Sequence, residues 1–315
     1  MKIITFEDMQ SLKISPVKMY GWVEEMLRQK YTAILPPKVK MNHVEGGRTN
    51  VMPCALPNID AMGIKMNFRY PAPKPSLTSQ ILLCRLCDGT PLALMDGAYI
   101  TWIRTGAVAA HSIVTFAKRG YETIGIMGLG NSAYATMNIF TSLDHGTKYL
   151  VRVLKYKDQA EAFIRRFEDC KNFTFSVCES AEEMIRTSDV TVSCITFTDT
   201  FIARDECFMP GCTIIPVHTR GFQNCDLFFD KVFGDDRGHV DGFKNFGKFK
   251  SFAETCDVVT GKAAGRTNVT ERILVYNIGL SIHDIYFAHK VYEMLSDKLP
   301  DDVNLAPLSL GKLWV

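Results

Sequence analysis

The ten residues GIMGLGNSAY, 125 to 134, constrain the fold of this chain more than any other stretch. An apolar and β-branched run, ETIGIM, ends at Met127, and two glycines and an alanine follow at GxGxxA spacing. A helical segment, NSAYATMNIFTSL, comes next. This is how a parallel strand passes through a tight turn into a crossover helix. Gly128 makes the turn, Gly130 lets backbone approach a pyrophosphate, and Ala133 allows the helix to pack closely. The amino terminus of that helix then faces the phosphates. A lone GxGxxA also occurs in purely structural turns, so the case for a dinucleotide rests on its surroundings.

From Tyr121 onward those surroundings alternate strand and helix: YLVRVLKY, DQAEAFIRRFED, FTFSVCE, AEEMIRTS, DVTVSCITF and CTIIPVHT. Short apolar runs separated by helical segments predict a parallel sheet wound with helices. The first 118 residues read as an α+β region. They hold an amphipathic helix, PVKMYGWVEEMLRQKY, and extended stretches MGIKMNFRY and QILLCRLC, set apart by the proline-rich YPAPKPS. Residues 224 to 270, with GDDRGHVDGFKNFGKFKSF, read as loop or short helices. After Gly279 the apolar residues of LSIHDIYFAHKVYEML recur at helical spacing, which predicts a long helix returning to the first domain.

A chain of 315 residues with 36 basic and 34 acidic side chains carries no footprint for a polyanion, so nucleic acid and membrane surfaces are excluded as main partners. A small molecule is expected instead. Glu7 and Asp8 interrupt the place where a secretory leader would be apolar, and the expected location is the cytoplasm. The longest apolar run, GAVAAHSIVTFA, contains His111 and stops at Lys118, short of the ~20 residues needed to span a bilayer. Of the 10 cysteines only Cys84 and Cys87 form a CxxC. On a strand their side chains point to opposite faces, and no second ligand pair exists, so no metal is expected and the thiols read as free, buried or half-exposed.

The second strand of a dinucleotide fold ends in an acidic residue when the adenosine ribose is unphosphorylated. Lys155 stands there and Lys157 follows, which favours NADP(H) over NAD. The other reading makes both lysines solvated and gives the ribose to Asp158.

Four stretches, VMP at 51 to 53, MGIKMNF at 62 to 68, DGTPLALMDGAYITWIRTGAVAA at 88 to 110 and YNIGLSIHD at 276 to 284, together with GLGNSA, resemble the ornithine cyclodeaminase and mu-crystallin family. The resemblance runs from about residue 35 to 290. It implies an α/β fold with a Rossmann NAD(P)-binding domain, 119 to 285, inserted in an α+β domain for substrate binding and dimerisation, 1 to 118 with 286 to 315. It implies a homodimer doing hydride chemistry at the α-carbon of an amino or imino acid. A substrate carboxylate is common to such reactions, and Arg104, in RTGA, is the cation suited to grip both its oxygens. Lys65, in MGIKMNF, matches the family's lysine beside the reacting nitrogen; desolvated there, it would be a proton donor or acceptor. Cofactor contacts are expected at Arg104, Gly128, Gly130, Asn131, Ser132, Lys155, Thr196, His218 and Gly279.

The chain also departs from the family. Lys38, in LPPKVKM, stands where the family has a second substrate arginine, keeping the charge but not the bidentate geometry. In IIPVHTRGFQNCDL, His218, Thr219 and Arg220 stand where cyclodeaminases carry a glycine, a small residue and the catalytic aspartate. Asp226 matches an acidic residue that caps the following helix. An arginine at 220 would repel a distal amine and attract a second carboxylate, which points to a dicarboxylic or opine-like substrate. His218 would then take over proton transfer, since imidazole titrates near neutrality. An Arg220 turned to solvent, or a register one residue different, is the alternative. Three activities stay open: an NAD(P)-dependent imine reductase or amino-acid dehydrogenase, with Arg104, Lys65 and Lys38 holding substrate; an ornithine cyclodeaminase with an altered proton relay; and a non-catalytic NADP(H)-binding protein of mu-crystallin type.

Overall fold

Three nine-residue strands, in each of which buried side chains alternate over part of the length, dominate the first part of the chain, and they pair as a sheet. The computed structural model describes residues 1–44, 46–71, 77–143, 146–196 and 198–305, so most of the YPAPKPS separator, residues 72–76, lies outside the described residues. The chain divides into two compact units: Met1–Lys13, Thr32–Ile100 and Asp284–Val315 form the first, Ile14–Tyr31 and Thr101–His283 the second.

Among the described residues the first unit holds six strands: β1 (Lys2–Ile4), β2 (Val39–Asn42), β3 (Arg48–Leu56), β4 (Ala61–Arg69), β5 (Leu77–Arg85) and β6 (Pro91–Asp96). Their order is β1-β6-β5-β4-β3-β2, antiparallel except that β1 joins β6 in parallel. On β4 the inward face begins Ala61, Gly63, Lys65. A Cβ on Gly63 would lie 2.5 Å from the Leu82 carbonyl oxygen and 2.8 Å from Ile285 Cδ1. Only a glycine lets Ile285, on the helix Ser281–Leu295, come so near the strand.

Among the described residues the second unit carries eight parallel strands: β7 (Thr123–Met127), β8 (Tyr149–Leu154), β9 (Phe173–Cys178), β10 (Val190–Ser193), β11 (Thr213–Pro216), β12 (Lys231–Gly234), β13 (Phe252–Glu254) and β14 (Ile273–Tyr276). The order β13-β12-β14-β11-β10-β7-β8-β9 reverses direction between β7 and β10, where a doubly wound sheet opens its ligand crevice. The α/β expectation holds for this unit. Two elements in it escape a reading of the sequence: β12 and β13 lie in the stretch that reads as loop or short helices. At four and three residues they are too short to show a period.

The units also divide the chain differently from 1–118 with 286–315 and 119–285. Residues 14–31 and 101–118 fall with the parallel sheet because of what their helices touch. The helix Pro16–Gln29 packs on the helix Asn131–Ser142 that follows the glycine turn, and its neighbour Lys30 donates to Asp236 and Glu254. Gly106, on the helix Gly97–Phe116, has no room for a Cβ, which would lie 2.4 Å from Ala135 Cβ. The small residues of RTGA thus bring that helix against the Asn131–Ser142 helix.

All ten cysteines are free. Cys84 ends near the close of β5, but Cys87 lies beyond the strand and is exposed rather than half-exposed, so strand alternation does not relate the pair. No group of side chains suited to a metal, and no helix long and apolar enough to cross a membrane, occurs among the described residues.

Candidate active site

β7 ends at Met127, and Gly128 turns the chain with φ +76. A Cβ there would lie 2.5 Å from Cys194 C and Ile195 N, the backbone that leaves β10. The first glycine is therefore required by both conformation and packing. Gly130 differs: its N–H donates to the Gly128 carbonyl at 2.8 Å, and, its own residue and chain neighbours apart, no atom of the described residues lies within 4 Å of where its Cβ would be. It serves as N-cap of Asn131–Ser142 without any side-chain capping bond. An uncapped twelve-residue helix, opening behind a glycine with free space beside it, fits a pyrophosphate. Gly128→Ala is expected to abolish nucleotide binding and to destabilise the chain by a few kcal/mol, roughly the cost of strain plus overpacking; unchanged urea unfolding would contradict this.

The other residues expected at the cofactor leave the same edge of the sheet. Asn131 is exposed and Ser132 half-buried at the start of the helix; Thr196 is exposed three residues beyond β10; Lys155 directly follows β8, and His218 lies two residues beyond β11. Lys155 Nζ is held by both oxygens of Glu179, at 2.8 and 3.1 Å. His218 Nε2 lies 2.7 Å from the Ser193 hydroxyl, the last residue of β10, and its ring stacks on Phe222 with centroids 6.1 Å apart.

Burial pushes His218 down from 6.5 to about 4. At neutral pH it is therefore an uncharged hydrogen-bonding imidazole and not the group titrating near neutrality that its residue type suggests. Between those values the unfolded chain holds a proton at this position that the folded chain does not, so stability declines as pH falls from 6.5 towards 4. His218→Gln is expected to flatten that decline in urea unfolding measured at successive pH values. Asp226 acts in the opposite sense. It does not cap a helix; it is buried, accepts from Tyr276 Oη at 2.8 Å and Asn245 Nδ2 at 3.3 Å, and burial raises it from 3.8 to about 6.

Arg104 belongs to the second unit, and its residue is only 8% exposed. Its guanidinium lies on Gly279, whose Cβ, if present, would be 2.7 Å from Nη1. Gly279 has φ +79 and donates its N–H to Asp235 Oδ2 at 2.8 Å. Gly279, a residue expected at the cofactor, thus directs its N–H to Asp235, the buried residue just beyond β12. Burial raises the Asp235 carboxyl above its ordinary range, opposed by the Gly279 N–H and the charge of Arg104.

In the first unit Lys65 Nζ meets Asp284 Oδ1 at 2.7 Å, both side chains with 0% exposure. The close approach allowed by Gly63 brings the helix residues Asp284 and Ile285 to this part of β4. A carboxylate at that distance stabilises the ammonium charge against desolvation. Lys38 is half-buried, one residue before β2.

The model of the Ornithine cyclodeaminase/mu-crystallin family matches residues 2–299. The chain belongs to this family. A Delta(1)-pyrroline-2-carboxylate reductase of Bacillus cereus is 25% identical over 265 residues, 77% of this chain and 80% of the relative. An N-((2S)-2-amino-2-carboxyethyl)-L-glutamate dehydrogenase of Staphylococcus aureus is 27% identical over 222 residues, 64% of each protein. The solved Delta(1)-pyrroline-2-carboxylate reductase of Thermococcus litoralis, in complex with NADH and L-proline, superposes with a TM-score of 0.83 at 24% identity, covering 96% of this chain and 100% of that one.

Arg220 is paired with Asp199 at 3.4 Å, the two side chains 59% and 74% exposed. Four partners of the expected residues go unread in the sequence: Asp284, Asp235, Glu179 and Ser193. The signal for Asp284 is the acidic end of YNIGLSIHD; Asp235 and Glu179 lie one step beyond strand ends and Ser193 ends a strand, and only the sheet order reveals their neighbours.

Proposed function

We propose that this chain is an NAD(P)(H)-dependent oxidoreductase that reduces a C=N bond beside a carboxylate, or runs the reverse oxidation of an amino acid. The observation that carries the reading is the buried Arg104 guanidinium laid on Gly279 beyond the carboxyl end of β14, in the sheet whose β7 turn fits a pyrophosphate. Arg104 is suited to bind the α-carboxylate through two parallel hydrogen bonds. When bound, the reduced nicotinamide supplies a hydride to the α-carbon. The C=N electron pair then passes to nitrogen, which takes a proton. Lys65 is our candidate for giving it, with Asp284 keeping its ammonium charged beforehand.

Lys38 adds a positive charge for the substrate, and Arg220 is the group that would favour a second carboxylate. Its exposed pairing with Asp199 is weak enough to exchange for one. The similarity to the B. cereus reductase and the S. aureus glutamate-derivative dehydrogenase supports imino acids, including those with more than one acidic group, as substrates. Free thiols throughout support a reducing compartment, the cytoplasm, and the family resemblance supports a homodimer.

The test is consumption of NADH and NADPH by the purified chain. The panel holds Δ1-pyrroline-2-carboxylate, imines formed from 2-oxo dicarboxylates and ammonia, and ornithine with catalytic NAD. Consumption with an imino acid and no ammonia from ornithine is expected. Ammonia release from ornithine alone would favour cyclodeamination, and nucleotide binding with no turnover would favour a non-catalytic role.

A further inference from the structure

Two opposite charges stand together at the end of the dinucleotide sheet that takes the adenosine ribose in folds of this kind. β8 and β9 stay in register to their last pair, Leu154 opposite Cys178, and the Lys155 N–H extends the ladder to the Cys178 carbonyl at 2.9 Å. Lys155 and Glu179 therefore emerge side by side, and the ammonium bridges both carboxylate oxygens. Lys157, the second cation of the turn, sits in the left-handed region with φ +53, and its ammonium lies 5.5 Å from the centroid of the Tyr156 ring. Asp158 precedes the helix Gln159–Arg165 without capping it.

Resting on the dinucleotide reading above, we propose that Glu179 decides the choice between NAD(H) and NADP(H), in favour of NAD(H). It does so in two ways. Its carboxylate is an acceptor for an unmodified ribose 2′-hydroxyl, doing from β9 what an acidic residue at the end of β8 would do. It also occupies Lys155, so a 2′-phosphate arriving there meets a carboxylate along with the ammonium, and like charge rejects it. The pair is exposed, at 47% and 72%, so its own contribution to stability is small and the carboxylate is free to turn towards a ribose. The two lysines that favour NADP(H) by residue type are thereby engaged, one by Glu179 and the other with an aromatic ring.

Calorimetric titration of NADH and NADPH into the full-length wild type, Glu179→Gln and Lys155→Ala tests this without turnover. The wild type is expected to bind NADH more tightly than NADPH. Glu179→Gln is expected to move the ratio of affinities towards NADPH by about twofold to fivefold, the size of one exposed charge contact. Lys155→Ala is expected to weaken NADPH further and leave NADH within about twofold. A wild type preferring NADPH, or a ratio unchanged in Glu179→Gln, overturns the assignment. Absence of binding by either nucleotide to any of the three proteins instead overturns the dinucleotide reading itself.

Discussion

Replacing Arg104 with methionine is expected to lower kcat/KM for imino-acid reduction by about a hundredfold to a thousandfold, the effect of removing one partner from a buried, charge-assisted contact. Arg104→Lys keeps the charge and loses the second parallel bond, so a smaller loss of about tenfold is expected. Methionine also leaves Asp235 buried without the opposing cation, which makes a loss of stability part of the outcome. The double variant Arg104→Met/Asp235→Asn separates the two effects: it should regain stability in urea unfolding and stay as inactive as Arg104→Met. Recovery of activity in the double variant would show that Arg104 serves only to neutralise Asp235.

Lys65→Met is expected to destabilise the chain by about 3–5 kcal/mol, because Asp284 would lose its ammonium partner in the core. Removing both partners, as in Lys65→Met/Asp284→Leu, should recover most of that stability, since a buried pair and an apolar pair of similar volume are nearly equivalent. Activity should not return. The comparison of denaturant midpoints with initial rates thus distinguishes a lysine that moves a proton from one that only balances Asp284; full activity in the double variant would refute the proton-donor role.

Much of this arrangement is legible in the residues. GIMGLGNSAY announces a parallel strand, a turn and a helix, because a positive-φ glycine and a small helix residue have few other uses at that spacing. The alternation after Tyr121 gives the class of the second unit, and RTGA gives a cation with small neighbours. The rest depends on non-local packing. Residues 14–31 precede the parallel sheet by a hundred residues and still fold with it, because a helix takes its place from the face it buries. Glu179 is unremarkable in FTFSVCE until β9 is known to lie in register beside β8. His218 looks like a neutral-range acid–base group, and only its burial between Ser193 and Phe222 shows that it stays uncharged. Asp226 reads as a cap by position, whereas Tyr276 and Asn245, 50 and 19 residues away, hold it inside.

The most direct test of the central claim follows the hydrogen that is transferred. With an imino acid from the panel as substrate and NADH carrying deuterium at both positions of C4 of the dihydronicotinamide, in ordinary water, the amino-acid product is expected to carry deuterium at its α-carbon, read by NMR. A product with no deuterium at that carbon, formed while the reduced nucleotide is consumed, would contradict hydride chemistry at the α-carbon.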